Sequence, residues 1–295
     1  MGLIFDKPST RTRVSFEVAM NQLGGSSLYL DPGTTQMKRG EPIADSARVL
    51  SRYLDGLVIR TFGQSIVDEW ACWSSIPVIN GLTDLLHPCQ IICDLLTIIE
   101  KRGNYKNLKV AYIGDGNNVA NTWIQAASLL DFSVALACPR GFQPNPKILR
   151  EAGRNSRARI EMTTDPGRAV QRADVLYTDV WASMGQEKEK KERKNRFRGY
   201  QIDRQLLQKA KPDALVMHCL PAHIGEEISR EVYEGPQSIV FDQAENRLHG
   251  QKAILEWLLK PRNSPPRSLR TRRKKIKEQI STKIGIKRFY FFSGF

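Results

Sequence analysis

Five consecutive residues, Ser9-Thr10-Arg11-Thr12-Arg13, set three hydroxyls and two guanidinium groups between the apolar run Leu3-Ile4-Phe5 and a helical pattern that continues through Val14, Val18 and Leu23. A helix start exposes unpaired backbone N–H groups at the positive end of the macrodipole, so it attracts anions. Hydroxyls add donors there, and the planar fork of Arg11 matches phosphate oxygens. A phosphate cradle is one reading of the run; an ordinary cap by Ser9 or Thr10 is the other. The pattern G-x-x-x-x-G-K-[ST] is missing, so this is not the nucleotide loop that such a glycine-rich sequence builds.

Four further clusters could do chemistry. "LLHPCQIICD" (85–94) sets His87 before a proline and Gln90 three residues on, a pair able to give two hydrogen bonds to one oxygen atom. "GDGNNVANT" (114–122) follows a strand pattern and opens a helix, but Val119 stands where a dinucleotide fingerprint needs its third glycine. No acid follows at the distance that would grip a ribose, so Asn117 and Asn118 are read as helix caps or as amide contacts to a small polar substrate. "DVWASMGQE" (179–187) puts Asp179 at a strand end, and "MHCLPAH" (217–223) does the same for Cys219, either a buried inert thiol or a site residue.

The elements that position these groups alternate between strand and helix, which predicts α/β architecture with parallel sheets. Strands are expected at "GLIF", "SSLYL", "GLVIRT", "PVING", "LKVAYIGDG", "SVALACP", "RIEMTT", "VLYTDV", "ALVMHCLP" and "SIVFDQ". The helices between them are placed near 14–23, 43–54, 65–74, 88–102, 118–130, 146–153, 166–173, 225–234 and 247–260, with a charged loop after Asp179. Two domains are expected, 1–87 and 104–246, joined by a helix over 88–103, with a final helix at 247–260. In parallel sheets ligands bind beyond the carboxyl ends of strands, and the polar clusters sit at those ends. The active site is therefore expected in the cleft between the domains.

Composition narrows the class. The chain has 295 residues, 41% hydrophobic and 26% charged, a globular balance. No apolar run reaches a membrane span, and the start does not read as a signal peptide. The five cysteines lack the spacing of a zinc site or disulfide framework, which fits a reducing cytoplasm. Net charge is +14, and residues 261–295 hold eleven Lys or Arg against one Glu, +10 of that total, leaving +4 for the body. Nucleic acid is thus an unexpected partner except through this basic tail, which is expected to be disordered.

Taken in order, "FDKPSTRTRVSFE", "RGEPIADSARVLSRYLDGLVIRTF", "HPCQIICDLLTI", "GDGNNVANT", "DVWASMGQE", "HCLPAH" and "AENRLHGQKAIL" resemble the aspartate/ornithine carbamoyltransferase family over about residues 1–260. "SMG" and "HCLP" resemble its ornithine branch. The resemblance implies that Ser9, Thr10, Arg11 and Thr12 bind the phosphate of carbamoyl phosphate, and that Arg60, His87 and Gln90 hold its carbamoyl group with Thr12. Arg247 would complete that pocket from helix 247–260, packed back on the first domain, and Gln36 would reach the phosphate of a neighbouring subunit in a homotrimer. Asn118, Asp179, Ser183 and Met184 would bind L-ornithine, with Cys219 and Leu220 near its δ-amine. Arg60, His87, Asp179, Cys219 and Arg247 are thereby the expected catalytic groups. No metal or organic cofactor is implied. Relative to the family the chain starts at its first strand, without the usual preceding helix, and the tail matches nothing in it. Two alternatives stay open, a different amine acceptor and an inactive homologue carrying a nucleic-acid-binding tail.

Overall fold

The computed structural model describes residues 1–155, 159–182 and 190–259, which fall into two units. One comprises Met1–Leu96 with the chain from Asn246 onward; the other is Thr97–Glu245. The expected Ser183, Met184 and the basic tail lie outside the described residues.

The first unit alternates β1 (Gly2–Phe5), α1 (Thr10–Gln22), β2 (Leu28–Leu30), α2 (Ile43–Leu50), β3 (Leu57–Arg60), α3 (Gln64–Trp73) and β4 (Val78–Leu82), and then enters α4 (Pro88–Arg102). The sheet is parallel throughout in the order β2-β1-β3-β4. β1 and β3 are buried along their whole length, as expected of continuous apolar strands covered on both faces. Ile4, Leu57, Ile59, Val67 and Trp70 build the core beneath α2 and α3. Chain direction across the sheet reverses between β1 and β3, where Phe5 pairs with Arg60. That is the switch point at which parallel sheets open a crevice.

The second unit runs β5 (Lys109–Ile113), α5 (Asn118–Leu129), β6 (Ser133–Ala137), α6 (Pro146–Gly153), β7 (Arg159–Thr163), α7 (Pro166–Val170), β8 (Val175–Thr178), α8 (Lys190–Arg196), α9 (Arg204–Leu207), β9 (Leu215–His218) and α10 (Arg230–Tyr233). Its parallel order is β7-β6-β5-β8-β9, so the reversal falls between β5 and β8. Small residues (Ala111, Ala135, Ala137) let helices approach the sheet, and Tyr112 stacks on Tyr177 at 5.9 Å. Gly116 is obligatory: a Cβ there would stand 2.2 Å from the backbone nitrogen of Pro144.

The last helix, α11 (Val240–Leu259), starts well before the expected 247. The "SIVFDQ" run reads as a strand because Ile, Val and Phe favour one. It touches β9 only as an isolated bridge, with Val216 N donating to Gln237 O at 2.8 Å and Ile239 N to Val216 O at 3.0 Å. Tertiary packing then carries the chain into helix. Within the first unit α11 lies close on α4: a Cβ on Gly250 would come within 2.5 Å of Cys93 Sγ. The expected charged loop also contains helix, α8. Likewise α1 begins at Thr10, not 14, since its first turn is polar and leaves no apolar periodicity to detect.

Candidate active site

Ser9 caps α1, its Oγ accepting from Thr12 N at 3.2 Å, and the first turn carries no acidic side chain. The positive helix end is therefore left uncompensated, as an anion site requires. Thr10 and Arg11 are exposed on that turn, whereas Thr12 is buried. Beside it, Arg60 is buried at the end of β3, with Nε donating to Lys7 O at 3.2 Å. A register shift between Ile59 and Arg60 against β4 sets the direction of this strand end. Lys7 is itself fixed by an ion pair with Asp84 and by the Phe62 ring, 4.4 Å away.

Arg247 joins this cluster from α11. Its Nη1 donates to Gln90 Oε1 at 2.6 Å and its Nη2 to Thr12 Oγ1 at 3.0 Å, all three residues being buried. Gln90 also donates from Nε2 to Asp94 Oδ1 at 2.8 Å. His87, buried at the start of α4, has its pKa held well below the ordinary 6.5, by burial first and then by the positive charges of Arg247 and Arg60. It is a neutral imidazole at pH 7 and can act as a donor without carrying charge. The structure thus brings Thr12, Arg60, His87, Gln90 and Arg247 into one cluster. Gln36 is exposed on a one-turn 3-10 helix, Gln36–Arg39.

The depressed His87 pKa has a consequence for stability. Below 6.5 the unfolded chain takes up a proton that the native chain refuses, so stability present at neutral pH is lost as pH falls. The expected slope is about 1.4 kcal/mol per pH unit for this one group. His87→Gln flattens that acid limb in urea unfolding followed between about pH 7 and pH 5, as the linkage relation requires. An unchanged slope would contradict the neutral state.

In the second unit the polar groups gather where β5 and β8 part. Asp179, buried just past β8, accepts from Asn117 Nδ2 at 2.7 Å, from Val180 N at 2.8 Å and from Cys219 Sγ at 2.9 Å. Asn117 caps α5 with the same side chain, its Oδ1 accepting from Val119 N at 2.9 Å and from Tyr112 OH at 3.1 Å. Asn118 is the first residue of α5. Leu220 stands in the left-handed region, φ 57°, and its N–H donates to His218 Nδ1 at 2.8 Å. Asp179, Cys219, Leu220 and Asn118 thus occupy one end of this sheet. Asn117, which organises Asp179, was read from sequence only as a cap or substrate amide; its bond to Asp179 spans 62 residues.

The first unit thus offers a helix N-terminus with no acidic side chain in its first turn, and the second a buried carboxylate bonded to a half-buried thiol at the end of its sheet. Residues 1–100 match the aspartate/ornithine carbamoyltransferase carbamoyl-P binding domain, and residues 106–258 match the Asp/Orn binding domain of the same family. The chain belongs to the aspartate/ornithine carbamoyltransferase family. It is 60% identical over 259 residues to the ornithine carbamoyltransferase of Syntrophus aciditrophicus, covering 88% of this chain and 86% of that one. The enzyme of the same name from Geobacter metallireducens is 58% identical over 260 residues, with the same shares covered. Among solved structures, the ornithine carbamoyltransferase of Pyrococcus furiosus superposes with a TM-score of 0.84 at 51% identity, covering 88% of this chain and 83% of that one.

Proposed function

We propose that this chain transfers the carbamoyl group of carbamoyl phosphate to the δ-amine of L-ornithine, giving L-citrulline and phosphate. The observation that carries the reading is the Arg247–Thr12–Gln90 junction beside neutral His87. It sets a guanidinium and an imidazole N–H next to the open N-terminus of α1. A carbamoyl phosphate has this dual demand, an anionic phosphate at one end and a carbonyl that gains negative charge at the other.

In the reaction the neutral amine attacks the carbamoyl carbon, a C–N bond forms, the C–O bond to phosphate breaks, and the amine's proton leaves with the phosphate. Donors fixed on the carbonyl oxygen (Arg60, His87 and Arg247, with Thr12) stabilise the developing oxyanion, an effect of a few kcal/mol per donor. Phosphate leaves into the Ser9–Thr12 turn, held by backbone N–H groups and by Arg11. The remaining gain comes from holding two substrates in register. At the amine half-site Asp179 balances the substrate's ammonium group. Asn118 contacts the amino-acid end together with Ser183 and Met184, and Cys219 and Leu220 lie by the δ-amine. Gln36 completes the phosphate site of a neighbouring copy, which makes a homotrimer the working form. The free thiols suit the reducing cytoplasm, and no helix among the described residues is long and apolar enough to cross a membrane.

Citrulline formation by the purified chain from carbamoyl phosphate and L-ornithine tests the proposal, with putrescine and N-acetylornithine as competing acceptors. Citrulline from ornithine well above product from either competitor is expected. No citrulline from folded protein, or preference for another amine, overturns the reading.

A further inference from the structure

Gln251 lies one turn beyond Arg247 on α11 and is fully buried, a costly place for an amide unless each of its groups is bonded. Both are. Its carbonyl oxygen accepts from Arg247 Nη2 at 2.9 Å and from Nε at 3.1 Å, and its NH2 donates to Ser15 Oγ at 2.6 Å. Ser15 Oγ passes its own hydrogen to Arg11 O, at 2.5 Å, in the first turn of α1. A carboxamide fits this position for a definite reason. The guanidinium needs an acceptor, while the serine oxygen, its hydrogen already committed, needs a donor.

The donors of Arg247 can be accounted for one by one. Nε–H goes to Gln251, the Nη2 hydrogens to Gln251 and Thr12, and one Nη1 hydrogen to Gln90. Among the described residues, the other Nη1 hydrogen is the donor left over. By occupying the Nε/Nη2 edge, Gln251 fixes the plane and rotation of the guanidinium and so decides which N–H remains for a ligand. Without it the same arginine could turn its Nε edge toward Thr12 and present a different geometry.

We infer that Gln251 is a positioning residue for Arg247, anchored on α1 through Ser15, and that it sets the direction of the N–H offered to the carbamoyl oxygen. This rests on the carbamoyl phosphate reading of the site. Gln251 is not itself placed against the substrate. Its effect is confined to the carbonyl end of the ligand, because phosphate is held by the α1 N-terminus and Arg11.

Calorimetric binding of two probes to the full chain separates these ends: phosphonoacetamide, which has the phosphonate and the carboxamide, and inorganic phosphate, which has no carbonyl. Gln251→Leu is expected to weaken phosphonoacetamide about tenfold or more, the scale of one hydrogen bond to a charged group, and to leave phosphate within about twofold. Ser15→Ala removes the anchor while leaving every residue of α11 unchanged and weakens phosphonoacetamide about threefold; combined with Gln251→Leu it adds nothing further, as members of one chain do. Equal weakening of both probes by Gln251→Leu marks a merely structural role and overturns the assignment, as does wild-type phosphonoacetamide affinity in either folded variant or an additive double mutant. Should Gln251→Leu not fold, Ser15→Ala decides alone. Ornithine is absent from both titrations. A chain that makes no citrulline yet shows the loss confined to phosphonoacetamide therefore refutes the proposed activity and keeps this assignment.

Discussion

Arg11→Ala is expected to fold with an unchanged Tm and to lose at least about a hundredfold, up to about ten-thousandfold, in kcat/KM for carbamoyl phosphate, the loss of two charge-assisted bonds. Arg11 is exposed in the first turn of α1, so no core packing depends on it. Its value lies in its place, in the first turn of a helix whose positive N-terminal end favours an anion. Lysine there should restore a minor part of the rate, since an ammonium keeps the charge without the two-pronged geometry. Steady-state kinetics with varied carbamoyl phosphate, beside thermal melts, checks both statements. A wild-type kcat/KM in Arg11→Ala would remove the phosphate cradle from the mechanism.

Asp179→Asn is expected to raise the ornithine KM about a hundredfold, at the scale of a lost hydrogen-bonded charge pair, and to leave carbamoyl phosphate binding within about twofold. The substitution keeps the shape of the side chain but not its hydrogen bonding. One carboxylate oxygen accepts from Val180 N and Cys219 Sγ, the other from Asn117 Nδ2. An amide can accept on one side only, so its NH2 must face either the Asn117 amide or the Cys219–Val180 pair, donor against donor. The negative charge that would meet the substrate's ammonium group disappears as well. An ornithine KM within twofold of the parent would show that Asp179 serves the fold and not the amine.

What the sequence disclosed and what it withheld differ by the range of the interaction. Ser9 to Arg13 and the His-Pro-x-Gln run are short motifs whose chemistry is local, and both stand at element ends in the structure. Strand-end placement of Asp179 and Cys219 followed from apolar runs alone. By contrast, the amide of Asn117 reaches an acid far along the chain, and Gln251 sits in an ordinary-looking helical pattern. Nothing in local composition distinguishes such a residue from a surface glutamine. The early start of α11 was hidden for a related reason. Residues with strand preference became helical because only the Gln237–Ile239 edge finds a partner on β9. The cap reading of Ser9 already marked the start of α1, while the apolar period, which its polar first turn lacks, placed the helix only from 14.

Thr12 and Arg247 touch across 235 residues of sequence, so their contact closes only once both segments of the first unit have been made. A chain still being made can shape β1, β3 and the cap of α1 from nearby segments, but the guanidinium that completes their cluster arrives only with α11. Long-range closure of this kind is slow compared with local folding. Any product released before Arg247 therefore owns a phosphate-attracting turn, Arg60 and His87, but lacks the guanidinium that bonds Thr12 and Gln90. Catalytic competence is in this sense withheld by the topology itself from any fragment that stops short of α11.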